Sequence, residues 1–494
     1  MARSSDEDTV GRNNDAGMNS STSEPKGGEQ QENNDGGESG NGQDSHQPIG
    51  FFHSNLKAAR FDVIKNWALT TLILMVFIMM VLSLYWAVLF RVQQNLSALV
   101  VWVVDFDAQV APYTGMTAIV GPQIVQAAEK LISPVGAVGW GSLPASQFNH
   151  DPMEVRRQIY DYKAWAAVIV NANATALLRE AVINGNASYD PMGAAQVVYV
   201  EARDETSHAN YVMPQLTKFE QQVTSMFGEM WAKQVLDMAD TNPAILGSLR
   251  SAPQAISPAI GFSTFNLRPF SPAIATPAVT IGLIYLIIIA FFSFTFYLPH
   301  HLKFVQSPGH RPLHFHQLII WRLLSTITAY FFLSFAYSLI SLAFQMPFAA
   351  PQGSHTDLAQ PATAYHHASF FVYWMLNFVG MIALGLACEN VAMFIGQPWT
   401  ALWLIFWVIT NVSTSFYSID LAPQFYYWGY AWPLHNIVEG SRTILFNVHS
   451  RIGLNFGILA VWCVINTTLF PIACFFQRHM MTKSKKQEAE KKGD

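Results

Sequence analysis

Apolar residues along this chain fall in long unbroken runs separated by polar stretches, the pattern of a polypeptide that threads a membrane. A helix needs about 20 apolar residues to cross the hydrocarbon core. Trp67–Phe90 meets that requirement without a single charged residue. Comparable runs follow at Pro277–Leu298, Leu323–Phe344, Ser369–Cys388, Ala401–Tyr417 and Leu454–Phe476, the fifth being the shortest. The pattern predicts an α-helical polytopic membrane protein with six transmembrane helices. Residues 91–276 form one large insertion between helices 1 and 2, and residues 277–476 a membrane domain with the other five.

The insertion has its own periodicity. Leu99–Val104, Trp165–Val170 and Gln196–Glu201 are rich in β-branched residues and read as strands, whereas Gln123–Leu131 reads as a short helix. In Gln215–Asp237 the apolar Leu216, Phe219, Val223, Phe227 and Met230 recur at spacings of three and four, which predicts a longer helix. The insertion is therefore expected to be an α/β domain. Ser251–Pro277 is rich in Pro and Ser and reads as a linker back to the membrane.

Orientation follows from the basic residues beside the spans. Lys57, Arg60 and Lys65 precede the first run, and Arg91 follows it. The N-terminus is then cytosolic, and six crossings also put Lys303, Arg311 and the basic tail at 477–494 inside. The α/β domain becomes extracytosolic. Three sequons lie in it, at Asn95-Leu-Ser97, Asn173-Ala-Thr175 and Asn186-Ala-Ser188, which makes Asn173, Asn186 and Asn95 candidates for glycosylation. A fourth triplet at Asn466 falls within a span.

Composition agrees with the pattern: 51% of residues are hydrophobic and 12% charged, too apolar for an ordinary soluble protein. The net charge of −5 is concentrated in one place, because residues 1–50 carry ten Asp/Glu against three Lys/Arg. That tail is nearly free of aliphatic residues and is expected to be a disordered acidic cytosolic segment. Cys388, Cys463 and Cys474 all lie in or beside apolar runs, so no disulfide framework is expected.

Motifs exclude more than they assign. The chain has no Gly-Lys dipeptide and hence no P-loop, and neither G-x-S-x-G nor H-E-x-x-H occurs. No enzyme activity, cofactor, metal site or nucleic-acid partner is expected. His300, His301, His310, His314 and His316 read as a solvated basic loop near lipid headgroups, since Pro308 and Pro312 disfavour a helix that could pair two imidazoles. Arg322 and Glu389 sit near predicted span ends, where long side chains reach the interface. No acidic residue is expected at mid-span. After the aromatic cluster Tyr426, Tyr427, Trp428, Tyr430 and Trp432, Glu439 and Arg442 stand three apart, either as a gating pair on a re-entrant element or as a solvated pair on an interfacial helix.

The segment Tyr430–Gly457, YAWPLHNIVEGSRTILFNVHSRIGLNFG, resembles the fungal nitrosoguanidine-resistance membrane proteins. The exit sequence Val101–Val110 (VWVVDFDAQV) and Val120-Gly121-Pro122 are similar to that family too, and the layout is similar to the membrane half of ABC-2-type exporters. The resemblance implies export of, or resistance to, nitrosoguanidine and an influence on membrane lipid organisation. Partners expected on this basis are membrane lipids, a small toxic substrate, a separate ATPase or transporter, and a second copy of the chain. The alternative is a regulator that does not transport but alters lipid organisation or another transporter. A plasma-membrane location is expected, with the C-terminal Lys491-Lys492-Gly493-Asp494, similar to di-lysine retrieval signals, pointing instead to the endoplasmic reticulum.

Overall fold

The computed structural model describes residues 50–132, 136–306, 309, 311–396 and 399–493. The acidic tail before Gly50, His310 and the side chains of the Lys491-Lys492 signal lie outside the described residues. The chain divides into two units, Met1–Ala68 and Leu69–Asp494. In the first, the Arg60 guanidinium donates to the Phe51 carbonyl and lies 5.7 Å from the Phe51 ring centre. Helix α1 (Lys57–Trp86) starts there and runs on into the second. From Trp67 on it is apolar all round, with Val81 its buried residue, as a helix surrounded by lipid should be.

The second unit begins with a five-stranded mixed sheet. Its strands are β1 (Val100–Asp105), β2 (Gly139–Pro144), β3 (Ala166–Val170), β4 (Ala195–Tyr199) and β5 (Phe262–Asn266), in the order β2-β1-β3-β4-β5. β1 pairs in parallel with β2 and β3, β3 and β4 are antiparallel, and β4 and β5 are parallel. β3 and β4 are buried at every position, so AAVIV and AQVVY read as continuous rather than alternating runs. Four helices connect the first four strands and lead on from them: α2 (Val120–Glu129), α3 (Pro152–Tyr160), α4 (Ala174–Asn184) and α5 (Met213–Thr241), the last followed by α6 (Ala244–Ser251).

The two faces of the sheet do different things. Val101, Val103, Val168 and Val197 point to one side and pack with Ile124, Leu178, Phe219 and Trp231 from α2, α4 and α5. Val104, Ile169 and Val198 point to the other, where Val155 and Ile159 of α3 meet Leu286, Tyr330 and Ile437 in a single core shared with the long helices. The alternation of side chains along a strand thus joins the sheet to the helix bundle.

Among the described residues, five helices are long and apolar enough to cross a membrane. They are α1 and four more: α7 (Ile284–Gln306), α8 (Phe315–Ala343), α9 (Ser369–Ile395) and α12 (Ile452–Gly493). α9 is central, packing against α7, α8 and α12, and is the most buried. Gly385 lets Tyr330 of α8 approach, since a Cβ there would collide with its hydroxyl. The run expected as the fifth span instead forms α10 (Thr400–Ser413), whose 14 residues extend about 21 Å at 1.5 Å per residue. Beyond it come short 3-10 turns and then α11 (Pro433–Phe446), buried along almost its whole length against α9 and α12.

Three expectations are corrected. Ser251–Pro277 is not a linker: β5 lies within it and hydrogen-bonds along β4, despite the surrounding prolines. His300 and His301 belong to helix α7, and buried His301 accepts a 3.1 Å hydrogen bond from the Trp321 indole on its Nδ1. Arg322 and Glu389 do not reach the interface. They form a buried ion pair at 2.7 Å between α8 and α9, so an acidic side chain does lie inside the bundle.

Candidate functional site

The segment after β4 reads Glu201-Ala-Arg-Asp-Glu, placing Arg203, Asp204 and Glu205 on one short turn. Asp204 is fixed there as an N-cap, accepting from the Ser207 backbone N–H at 3.0 Å and its hydroxyl at 2.8 Å. Facing this turn is α11. Pro433 opens that helix, where its missing N–H costs nothing, and the Leu434 N–H donates to Asn411 of α10 at 3.1 Å.

Glu439 and Arg442 lie one turn apart on α11. Arg442 is 3.3 Å from Glu439, 3.0 Å from Glu205 and 3.9 Å from Asp204, with its side chain 4% exposed. The pair read from the sequence is thus one edge of a cluster of four charges around the buried Arg442, with Glu439 on its more exposed side. Burial penalises an isolated guanidinium by several kcal/mol, and three carboxylates around one cation offset that penalty. Arg203 stands beside this cluster, 3.8 Å from Asp420 and 3.8 Å from the Trp165 ring centre.

All of these groups except Glu205 line a cavity of about 490 Å³ between the sheet and the helices. Arg203, Arg442 and Arg451 contribute positive charge to its wall, Asp204, Asp420 and Glu439 negative, and Leu454 and Ile458 an apolar strip. His435 on the wall sits 2.9 Å from the Thr414 carbonyl through Nδ1. A carbonyl can only accept, so Nδ1 carries the proton and Nε2 of the neutral ring is left as an acceptor. A cavity with both signs of charge beside an apolar strip suits a small amphipathic molecule bearing both a donor and an acceptor group.

Other contacts clamp the sheet to the helices. Arg268, fully buried at the end of β5, donates to the carbonyls of Asn447, Ser354, Asp357 and Leu267 at 2.7–3.2 Å. The Asn447 carbonyl also accepts from the Tyr160 hydroxyl at 2.9 Å. Asn447 ends α11 in the left-handed conformation, φ 49°, which turns that carbonyl toward both donors. Asn95 donates its side-chain amide to the Leu421 carbonyl at 2.9 Å.

Among the sequence-predicted residues, Glu439 and Arg442 line the cavity, whereas Asn173 and Asn186 line a separate hollow of about 540 Å³ on the sheet unit. Asn95 lies at the junction itself. Sequence reading missed Arg203, Asp204, Glu205, Asp420 and Arg268. The one hint was a charged pentad directly after a strand. Cys388, Cys463 and Cys474 are free thiols, and no cluster of three or more His, Cys, Asp or Glu able to hold a metal ion occurs among the described residues.

Residues 70–468 match a family described as a protein of unknown function, DUF3533. The chain is 26% identical over 437 residues to an uncharacterized endoplasmic reticulum membrane protein of Saccharomyces cerevisiae, covering 85% of this chain and 82% of the yeast protein. No solved structure matches.

Proposed function

The chain belongs to that family of proteins of unknown function, and we propose that it acts as a permease-like membrane protein exporting, or conferring resistance to, small toxic compounds such as nitrosoguanidine. The observation that carries this reading is the mixed-charge cavity at the junction of sheet and helices, with its apolar strip at Leu454 and Ile458. In this reading α10 is the fifth of six crossings, the N-terminus is cytosolic and the sheet unit lies outside. The name of the yeast relative favours the endoplasmic reticulum membrane over the plasma membrane. With no P-loop in the chain, an ATPase partner supplies the energy or the buried Glu389 couples export to protons, and a second copy completes the permease.

The test is efflux from preloaded cells. Cells overexpressing the protein should lose a labelled alkylating agent faster than deletion cells, and Glu439→Gln combined with Asp420→Asn should remove the difference. Equal exit rates in all strains overturn the reading.

A second reading, a regulator of lipid organisation or of another transporter, is favoured by a specific observation. Arg268, Tyr160, Asn95 and Arg442 together pin the sheet to the helices, which opposes the large relative movement of an alternating-access cycle. Altered surface exposure of lipids with unchanged efflux would select this reading.

A further inference from the structure

We propose that Asn186 carries an N-linked glycan and that Asn173 and Asn95 do not. The three sequons look alike in sequence, but their amides have different fates in the fold. At half-buried Asn186 the side-chain Oδ1 accepts from the backbone N–H of Ser188 at 3.0 Å, which polarises the carboxamide and leaves Nδ2 out of this contact. Ala187, Ser188 and Asp190 around it are exposed, in the connection that follows the C-cap of α4 at Gly185. The hollow of about 540 Å³ that Asn186 lines gives the first sugars room, with Tyr113 as an aromatic platform and Asn171 and Asp190 as polar partners; Asn173 lines it too, so the hollow alone does not separate the two sequons.

At Asn173 the equivalent interactions are spent elsewhere. The Thr175 N–H donates to Asp107 at 3.0 Å rather than back to the asparagine, and its hydroxyl, fully buried, also donates to Asp107. A chain modified at Asn173 would have to bury that threonine with a bulky group attached two residues away. At Asn95 the Nδ2 is committed to the Leu421 carbonyl, so a sugar there severs a contact between the sheet unit and the segment leading to α11.

In the transfer itself, Nδ2 of Asn186 displaces a polyprenyl pyrophosphate from C1 of the first sugar. The N–C1 bond forms, the C1–O bond breaks, and Nδ2 gives up one proton. The inference rests on the proposed orientation, with the sheet unit outside the cytosol.

The experiment uses the full-length tagged chain in microsomes from a eukaryotic host. Endoglycosidase should produce a mobility shift of one glycan, lost in Asn186→Gln and equally in Ser188→Ala, which keeps the asparagine. The shift should persist in Asn173→Gln and Asn95→Gln. Protease added to the sealed microsomes separates the two premises. A protected sheet unit with no shift, or with a shift removed by Asn173→Gln, overturns the site while the orientation stands. A digested sheet unit overturns both.

Discussion

Arg442 and Glu205 are 237 positions apart in sequence and 3.0 Å apart in space, the guanidinium of a buried helix donating to a carboxylate on the turn that follows β4. This contact, with Asp204 and Glu439 around the same guanidinium, ties the two halves of the Leu69–Asp494 unit together beside the cavity.

Arg442→Ala should therefore be costly. It leaves three carboxylates facing one another in a half-closed site, and breaking a buried ion pair by removing one partner costs about 3–5 kcal/mol. Thermal unfolding of detergent-purified protein should show the loss. Arg442→Lys should recover part of it, because an ammonium keeps the charge but not the forked geometry.

The Arg322–Glu389 pair makes a different prediction. Thr326 and Gln477 support it at 3.4 Å and 3.3 Å, yet the pair is surrounded by apolar helix. Glu389→Leu alone and Arg322→Met alone should each destabilise by about 3–5 kcal/mol, while the double substitution should come within about 1 kcal/mol of the native protein or exceed it. A double-mutant cycle on thermal stability measures this.

Buried His208 and half-buried Asp105 in the sheet unit set opposing responses to pH. His208, between Trp165 and Tyr199, has its pKa lowered from 6.5 to about 3 by burial and then by the Arg203 charge. The unfolded chain takes up that proton first, so this contribution to stability is complete above pH 6.5 and is lost as pH falls toward 3. Asp105 goes the other way: burial raises it from 3.8 to about 6, so its folded carboxyl holds a proton that the unfolded chain has released, and stability falls as pH rises through that window. His208→Phe should flatten the acid side of the stability profile, and Asp105→Asn should steepen it. Unfolding followed from pH 4 to 7 checks both signs.

Asp107 offers a test of local architecture. Its buried carboxylate accepts from the Gly121 N–H at 3.1 Å and the Thr175 N–H at 3.0 Å, in the first turns of α2 and α4. Asp107→Ala leaves two helix starts without an acceptor, at about 1–2 kcal/mol each. Asp107→Asn should retain part of that, and proteolysis at the two helix starts reports the difference.

Much of the architecture was legible because it depends on local pattern. The apolar runs that lie in α1, α7, α8, α9 and α12 announce themselves by length, and β1 by the run Val-Val-Trp-Val-Val. What stayed hidden depends on tertiary context. β2, with its two glycines and a proline, has no strand-like composition and is held by pairing with β1. β5 sits among prolines and serines and is a strand because β4 offers an edge. Charged residues were visible as types, but partners 67 positions away for Arg322 and 237 for Arg442 are set by packing that no local window contains.

The single core shared by the sheet and the long helices bears on how the protein is made. When β1 to β4 leave the ribosome, Val104, Ile169 and Val198 have only α3, through Val155 and Ile159, to cover one side of them, because Leu286, Tyr330 and Ile437 are still to be synthesised. The nascent sheet waits with one greasy face partly open until the later helices are in the bilayer. A chain truncated before α11 is thus a client for chaperones and degradation, and biosynthetic quality control reads the integrity of the C-terminal half through the state of the N-terminal one.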